Sequence, residues 1–387
     1  MTANGIAKAG MEPPPQSTSV VRTAYITHLA DANRGGQVNL LRLLENLDRA
    51  KHQSMVVLPG AGSLQASLEA LGIRWVVTSA VMRSHRWVPY QIRRRLVLRS
   101  LAPVIRSFRP DVIYADALRD VWLAKQLSRS TGAALAWHAQ TAMHSARDAS
   151  QISLANVVVA VAPHVMELIR SLAPDANVEC VPNAVDVTQF TPGDDATLRR
   201  DYGVQDDQLV ILYVGGLYEA KGIRDLIEAF ARVCAEFPHA RLWIVGGGPE
   251  EQALQALAAR LGVASCLRLF GVRGDVSRFY RASDVFCLPS HTEGLPLSVL
   301  EAMSSGLACV GSDIPGIAHL LSGGCGLMAT VQNPVRLAEA IGAALRSGDL
   351  RRALGERARQ RILSDYPISN YVTQFDALWR RLAGEGL

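Results

Sequence analysis

The sequence predicts two doubly wound α/β domains in series. Short apolar stretches of strand length alternate with longer stretches whose apolar residues recur at helical spacing, the pattern of parallel sheets covered by helices. The alternation begins again after "VPNAVDVTQFTPG", where Pro, Gly and Asp cluster between Asn183 and Pro192 and mark a seam. A chain of 387 residues with 49% hydrophobic content has the length and the apolar material for two cores.

Residues 1–19, "MTANGIAKAGMEPPPQSTS", lack the apolar centre of a secretory signal, and their Pro, Gly and Ser content predicts a disordered tail. The first domain is expected over 20–186. It opens with the strand "VVRTAYITHLA", the glycine loop "DANRGGQ" and the helix "VNLLRLLENLDRA", where Leu40, Leu43, Leu44 and Leu47 share a face. The strand "SMVVLPG", the helix "SLQASLEALG" and the strand "IRWVVTS" follow. Basic and apolar residues then mix in "QIRRRLVLRSLAPVIRSF", a helix expected to be interrupted at Pro103. "PDVIYAD" reads as a strand, "LRDVWLAKQLSRST" as a helix, "AALAWHAQ" as a strand ending in His138, and "ANVVVAVAP" as a further strand.

The second domain is expected over 187–366. It opens with the strand "QLVILYVGG", the loop "LYEAKG" and the helix "IRDLIEAFARVCAEF", with Ile223, Leu226, Ile227, Phe230 and Val233 on one side. "ARLWIVGGGP", "EEQALQALAARLG", "CLRLFGV", "DVFCLPS" and "LACVGSD" continue the alternation. Residues 367–387 contain a last amphipathic helix, "ISNYVTQFDALWRRLAG".

Composition narrows the function. The net charge of +5, from 40 basic and 35 acidic residues, permits an anionic small molecule or surface and does not demand nucleic acid. None of the six cysteines forms a C-x-x-C pair or a zinc-ligand spacing, so buried free thiols in a reducing, cytoplasmic setting are expected and no metal site. No apolar run approaches the length of a membrane span.

In open parallel sheets ligands bind beyond the carboxyl ends of the strands, which directs attention to three loops. In "ANRGGQ", Gly35 and Gly36 precede a helix and allow close approach of an anion, or simply make a tight turn. In "VGGLYEAKG", Gly215 and Gly216 end a strand and Lys221 stands at the mouth of the next helix, against the helix dipole; a bound diphosphate would compensate that charge. A lysine in solvent is the plain alternative. The spacing fits neither a P-loop nor a G-x-G-x-x-G fingerprint.

The third loop is "HTEGLP", between the strand "DVFCLPS" and the helix "LSVLEAMSSG", with Pro296 expected as the first helical residue and Gly306 as the stop. Glu293 and Glu301 bracket an apolar segment. One glutamate could cap the helix and the other pair with an arginine; two carboxylates in so apolar a setting point to a ligand rich in hydroxyls.

The stretch "DVFCLPSHTEGLPLSVLEAMSSGLACVGSDIPGI" resembles the E-x7-E segment of retaining, nucleotide-sugar-dependent glycosyltransferases of the GT-B fold, the family-four group (glycosyl transferases group 1). "RGGQ", "WHAQ", "VPNAVDVTQFTP" and "VGGLYEAKG" are similar to that family's other marks, in order, from about Val20 to the C-terminus. The resemblance implies two Rossmann-like domains facing across a cleft, with the last helix crossing back to the first domain. It implies that Glu301 binds the donor's ribose hydroxyls and that Glu293 contacts the transferred sugar. Gly294 and Leu295 would hold sugar and phosphates through their amides, and Lys221 would stabilise the diphosphate. Gly35 and Gly36 would close on the phosphates, and His138 would point toward donor sugar and acceptor. It further implies retention without metal or cofactor, a carbohydrate or lipid-linked acceptor, and a place in polysaccharide or glycolipid synthesis.

Two positions depart from the family pattern. Gly216 stands where an arginine of the phosphate loop is usual, and His319 where a glutamate is common. The basic residues from Arg83 to Arg109, among them Arg93, Arg94, Arg95 and Arg99, read either as the solvated face of a helix or as a peripheral contact with an anionic membrane. A nucleotide-sugar epimerase on the same fold, or a non-catalytic nucleotide-sugar-binding protein, are the alternative functions.

Overall fold

A computed structural model describes residues 20–78 and 90–385. The tail expected over 1–19 lies outside the described residues, as do Arg83, Arg86 and the side chains of Arg93 and Arg94. The chain forms two compact units. The first comprises the residues up to Pro182 and those from Tyr371 onward; the second is Asn183–Asn370.

The first unit is built on seven parallel strands: β1 (Val21–Ile26), β2 (His52–Leu58), β3 (Arg74–Val77), β4 (Val112–Ala115), β5 (Ala134–Ala139), β6 (Val157–Ala160) and β7 (Val178–Cys180). Their order is β3-β2-β1-β4-β5-β6-β7. Every residue of β4 and β6 is buried, which explains why these strands read as continuous apolar runs: helices cover both sheet faces. The helix Tyr90–Phe108 runs through Pro103, correcting the expected interruption. A proline inside a helix costs about 3 kcal/mol. Here Val97, Leu101, Ala102, Ile105 and Phe108 are buried on either side of it, so packing holds both halves in one line.

The terminal helix, Ile368–Leu382, buries Tyr371, Phe375, Leu378 and Trp379, one stripe at helical spacing. Phe375 meets the rings of Tyr114 and His138 edge-on, and Trp379 donates its Nε1–H to the Tyr25 hydroxyl at 3.2 Å. His52 at the start of β2 lies 2.6 Å from Asp376, which also accepts from Arg380 at 3.0 Å. Phe375→Ala is therefore expected to destabilise the first unit by about 3–5 kcal/mol. Urea unfolding followed by tryptophan fluorescence checks this; an unmoved midpoint contradicts it.

The second unit has six parallel strands among the described residues: β8 (Val210–Val214), β9 (Arg241–Val245), β10 (Leu267–Leu269), β11 (Val285–Leu288), β12 (Ala308–Ser312) and β13 (Gly326–Ala329). Their order is β10-β9-β8-β11-β12-β13. The strand β13 and the helices Pro334–Arg346 and Gly348–Asp365 are elements the sequence reading did not name. Asn183 belongs to this unit, since its side-chain amide donates to Leu295 O at 2.7 Å and the next turn is tied by Val185 N to Tyr366 O at 3.0 Å. In each sheet the strand order reverses once, between β1 and β4 and between β8 and β11, and those two points are where ligands of doubly wound sheets bind.

Candidate functional site

In the second unit the chain leaves β8 at Gly215–Gly216, makes a 3₁₀ turn over Glu219–Lys221, and enters the helix Ile223–Glu236. Beside it, β11 runs into residues 289–296 and the helix Leu297–Ser304. The two loops are clasped together. Gly222 has φ +66°, and a Cβ on it would lie 2.1 Å from Pro289 O, so this position requires glycine. His291 donates its backbone N–H to Ala220 O at 2.8 Å, and its ring Nε2 lies 2.8 Å from Asp225.

The clasp brings Lys221 to Glu293. The lysine Nζ donates to Glu293 Oε1 at 2.6 Å, and Ser290 Oγ donates to the same oxygen at 2.7 Å. The charge that the sequence left for a diphosphate to balance thus has a carboxylate partner within the chain. Glu293 is 10% exposed and Lys221 31%, so the pair sits at the edge of solvent.

Just beyond Glu293, no protein acceptor among the described residues takes the backbone N–H of buried Gly294 or Leu295. Buried amides without partners are rare, and at a helix entry they suit an anion. Pro296 proves to be the N-cap and not the first helical residue; with φ −71° and ψ 122° its backbone is extended, so the helix begins one position later.

Glu301 lies inside this helix and is buried. Tyr280 Oη donates to its Oε2 at 2.9 Å and also reaches Ser298 O at 3.3 Å. The tyrosine is held in turn: its ring packs on Phe190 and Phe286. Arg359 braces the helix end from outside, donating to Ser304 O at 2.6 Å, Phe190 O at 2.9 Å and Val187 O at 3.0 Å. Tyr280 and Arg359 escaped the sequence reading. Their signal exists only in space, since they lie 21 and 58 positions from Glu301.

The glycines of the phosphate-type loop are partly spent on the fold. Gly215 N–H bonds to Val245 O, Leu217 N–H to Gly247 O, and Tyr213 Oη donates to Gly216 O at 2.9 Å. His319, the second departure, lies 3.1 Å from the Tyr366 hydroxyl.

In the first unit, Gly35 and Gly36 open the helix Gly35–Asn46, whose first turn has no acidic residue. A Cβ on Gly36 would stand 2.6 Å from Gln140 Oε1. His138 is the fifth residue of β5 and is buried, its Nδ1 2.5 Å from Tyr114 Oη. Burial pulls its pKa down to about 4, so the ring is neutral at pH 7. With Tyr114 donating, the ring's proton is on Nε2, which no protein atom accepts among the described residues. Asp116, just after β4, is the residue the sequence reading missed here: it joins His28 and Gln37 at the reversal point between β1 and β4.

Two doubly wound units, one carrying a lysine–glutamate pair and vacant amides at its reversal point, define an α/β protein of the GT-B architecture. The model of Glycosyltransferase Family 4 matches residues 33–189 and that of Glycosyl transferases group 1 matches 194–361. The chain belongs to the GT-B, family-four-like glycosyltransferases. It is 26% identical over 230 residues to the N-acetyl-alpha-D-glucosaminyl L-malate synthase of Bacillus anthracis, covering 59% of this chain and 60% of that protein. It is 34% identical over 194 residues to the D-inositol 3-phosphate glycosyltransferase of Corynebacterium jeikeium, covering 47% of this chain and 46% of the relative. The chain thus spans about half the length of the curated relatives it matches. Among solved structures it is similar in fold to sucrose-phosphate synthase of Thermosynechococcus elongatus, with TM-score 0.81, 18% identity, and 95% of this chain and 100% of that one covered. HepE of Anabaena, solved in complex with UDP and glucose, gives TM-score 0.80 at 18% identity, covering 93% of this chain and 100% of that one. No helix among the described residues is long and apolar enough to cross a membrane.

Proposed function

We propose that the chain moves a sugar from a nucleoside-diphosphate sugar to an acceptor hydroxyl, with retention at the anomeric carbon and no metal. The observation that carries this reading is a buried carboxylate, Glu301, in the same helix whose entry leaves the amides of Gly294 and Leu295 vacant. Ribose hydroxyls donate to Glu301, and the amides receive donor oxygens. Lys221 stabilises the negative charge that builds on the diphosphate, and Glu293 holds Lys221 in place and contacts the transferred sugar. In the reaction the C1–O bond to the diphosphate breaks, the bond from acceptor oxygen to C1 forms, and the hydroxyl proton leaves with the diphosphate.

Within the first unit, the Nε2–H of His138 suits a sugar hydroxyl, and Gly35 and Gly36 open a helix whose first turn, without an acidic residue, suits an anion. The absence of an arginine at Gly216 leaves Lys221 as the cation of its loop in this reading. UDP is the nucleotide to try first, because Anabaena HepE was solved with UDP and with UDP-glucose. We assign the chain to the cytoplasm, in line with its six free cysteines, and to polysaccharide or glycolipid synthesis. Exposed Ile92 and Leu96 beside exposed Arg95 on the helix Tyr90–Phe108 support a peripheral contact with anionic lipid and a lipid-linked acceptor.

A thermal-shift screen of UDP-, GDP- and ADP-sugars tests the reading. One nucleotide class is expected to raise the unfolding midpoint by roughly 2–5 °C at saturating concentration. Sugar transfer to a glycoside should follow with that donor. A flat response to all three classes contradicts the proposal, and a changed sugar with donor alone favours an epimerase.

A further inference from the structure

The two vacant amides before the helix Leu297–Ser304 are aimed by groups that lie outside that helix. Behind them stands Gly316, the second residue of the helix Pro315–Leu321. A Cβ on Gly316 would lie 2.4 Å from Gly294 O, 2.8 Å from Glu293 O and 3.1 Å from Gly294 C. Both carbonyl oxygens are nearer to that point than their own carbons, so both carbonyls face this glycine. In a trans peptide the N–H points opposite to the C=O. The peptides joining Glu293 to Gly294 and Gly294 to Leu295 therefore turn both N–H groups to the side away from Gly316. Successive N–H groups presented together make a seat for an anion.

The third peptide of the loop is fixed as well. Its carbonyl, Leu295 O, accepts from Nδ2 of buried Asn183 at 2.7 Å, and its nitrogen belongs to Pro296 and has no hydrogen to give. Gly316 itself is held in place. The next two residues, Ile317 and Ala318, donate their N–H groups to Ile314 O at 3.0 and 2.8 Å, and Ile317, Leu320 and Leu321 are buried. The φ of Gly316 lies outside the left-handed region, so space and not backbone strain keeps a side chain out of this position.

We infer that Gly316 and Asn183 are positioning residues: by fixing the carbonyls of Glu293, Gly294 and Leu295 they aim the two amides at the diphosphate of the donor. Neither residue needs to touch the donor. The inference rests on the transferase reading for the identity of the anion, while the direction of the amides is a property of the chain alone. Gly316→Ala would press a methyl group against two carbonyl oxygens, and the loop must yield because the helix Pro315–Leu321 is anchored. A loop that yields turns its peptides and takes the amides off the phosphates. The carboxylate of Glu301 keeps its own anchor in Tyr280, so the ribose end of the site is left in place.

The test takes the full chain and three probes: the tightest-binding of UDP, GDP and ADP, its nucleoside, and inorganic pyrophosphate. Titration calorimetry gives the two anions and saturation-transfer NMR the nucleoside. Gly316→Ala should weaken nucleoside diphosphate and pyrophosphate each by about tenfold or more, through the loss of hydrogen bonds to a charged group, and leave the nucleoside unchanged. Asn183→Leu keeps the side-chain volume and removes the donor to Leu295 O. It should weaken the same two anions about fivefold, again sparing the nucleoside, and it carries the test if Gly316→Ala does not fold. Equal losses for nucleotide and nucleoside overturn the inference, because they mean general damage to the unit. Unchanged anion affinity in the folded variants overturns it too, as does a parent chain that binds neither anion. If nucleotide sugars bind and react alike in the parent and both variants, the transferase reading stands and the inference fails. If pyrophosphate binds and weakens as stated while no nucleotide sugar binds, the transferase reading fails and the aimed amides stand.

Discussion

Glu301→Ala is expected to weaken UDP binding by about 100-fold or more, measured by titration calorimetry. A buried carboxylate that receives two ribose hydroxyls makes two charge-assisted hydrogen bonds, each worth about 1.5–3 kcal/mol, and both vanish with the side chain. The local structure should survive, because Tyr280 Oη keeps Ser298 O as an acceptor and Arg359 still braces Ser304. Tyr280→Phe is the graded control. It removes one hydrogen bond to Oε2 and leaves the carboxylate, so a loss of about tenfold or less is expected. UDP affinity that is the same in Glu301→Ala and the parent chain would exclude the ribose role.

Lys221→Ala is expected to lower kcat about 100- to 1,000-fold, or about 3–4 kcal/mol of transition-state stabilisation by the measure of a lost oxyanion donor. The ion pair with Glu293 complicates the reading, since removing the lysine also strands a carboxylate that is only 10% exposed. A double-mutant cycle with Glu293→Gln separates the two effects. If Lys221 acts on the leaving diphosphate, the double variant is slower than Glu293→Gln alone. If its whole task is to neutralise Glu293, the double variant is no slower. An unaltered kcat in Lys221→Ala removes the diphosphate assignment outright.

The strands were the most legible part of the fold. "DVFCLPS" and "QLVILYVGG" are short, apolar and bounded by Gly or Pro, and they appear as β11 and β8. The region after "LACVGSD" was less legible. β13 is a four-residue edge strand with exposed Met328, and the helix Gly348–Asp365 is rich in charge with few buried residues, so neither has a strong period. Pro103 was misread because local propensity argues for a break, while burial on both sides of it outweighs that propensity. The glutamate pair is conspicuous in the sequence because ionisable residues in an apolar segment are costly wherever it packs.

Periodicity and burial cost are properties of neighbouring residues along the chain, so the two doubly wound units, the loops at their carboxyl edges, Lys221 and Glu293 in those loops and Glu301 in the helix that follows were all readable from the residues alone. Which of these groups meet is set by the folded chain. Lys221 reaches Glu293 across 72 positions, Tyr280 reaches Glu301 across 21, and His28 reaches Asp116 across 88. Such contacts are set by strand order, which reverses between β8 and β11 and between β1 and β4. Side chains hydrogen-bond over about three ångströms of space whatever their separation in sequence, and no local pattern encodes that distance.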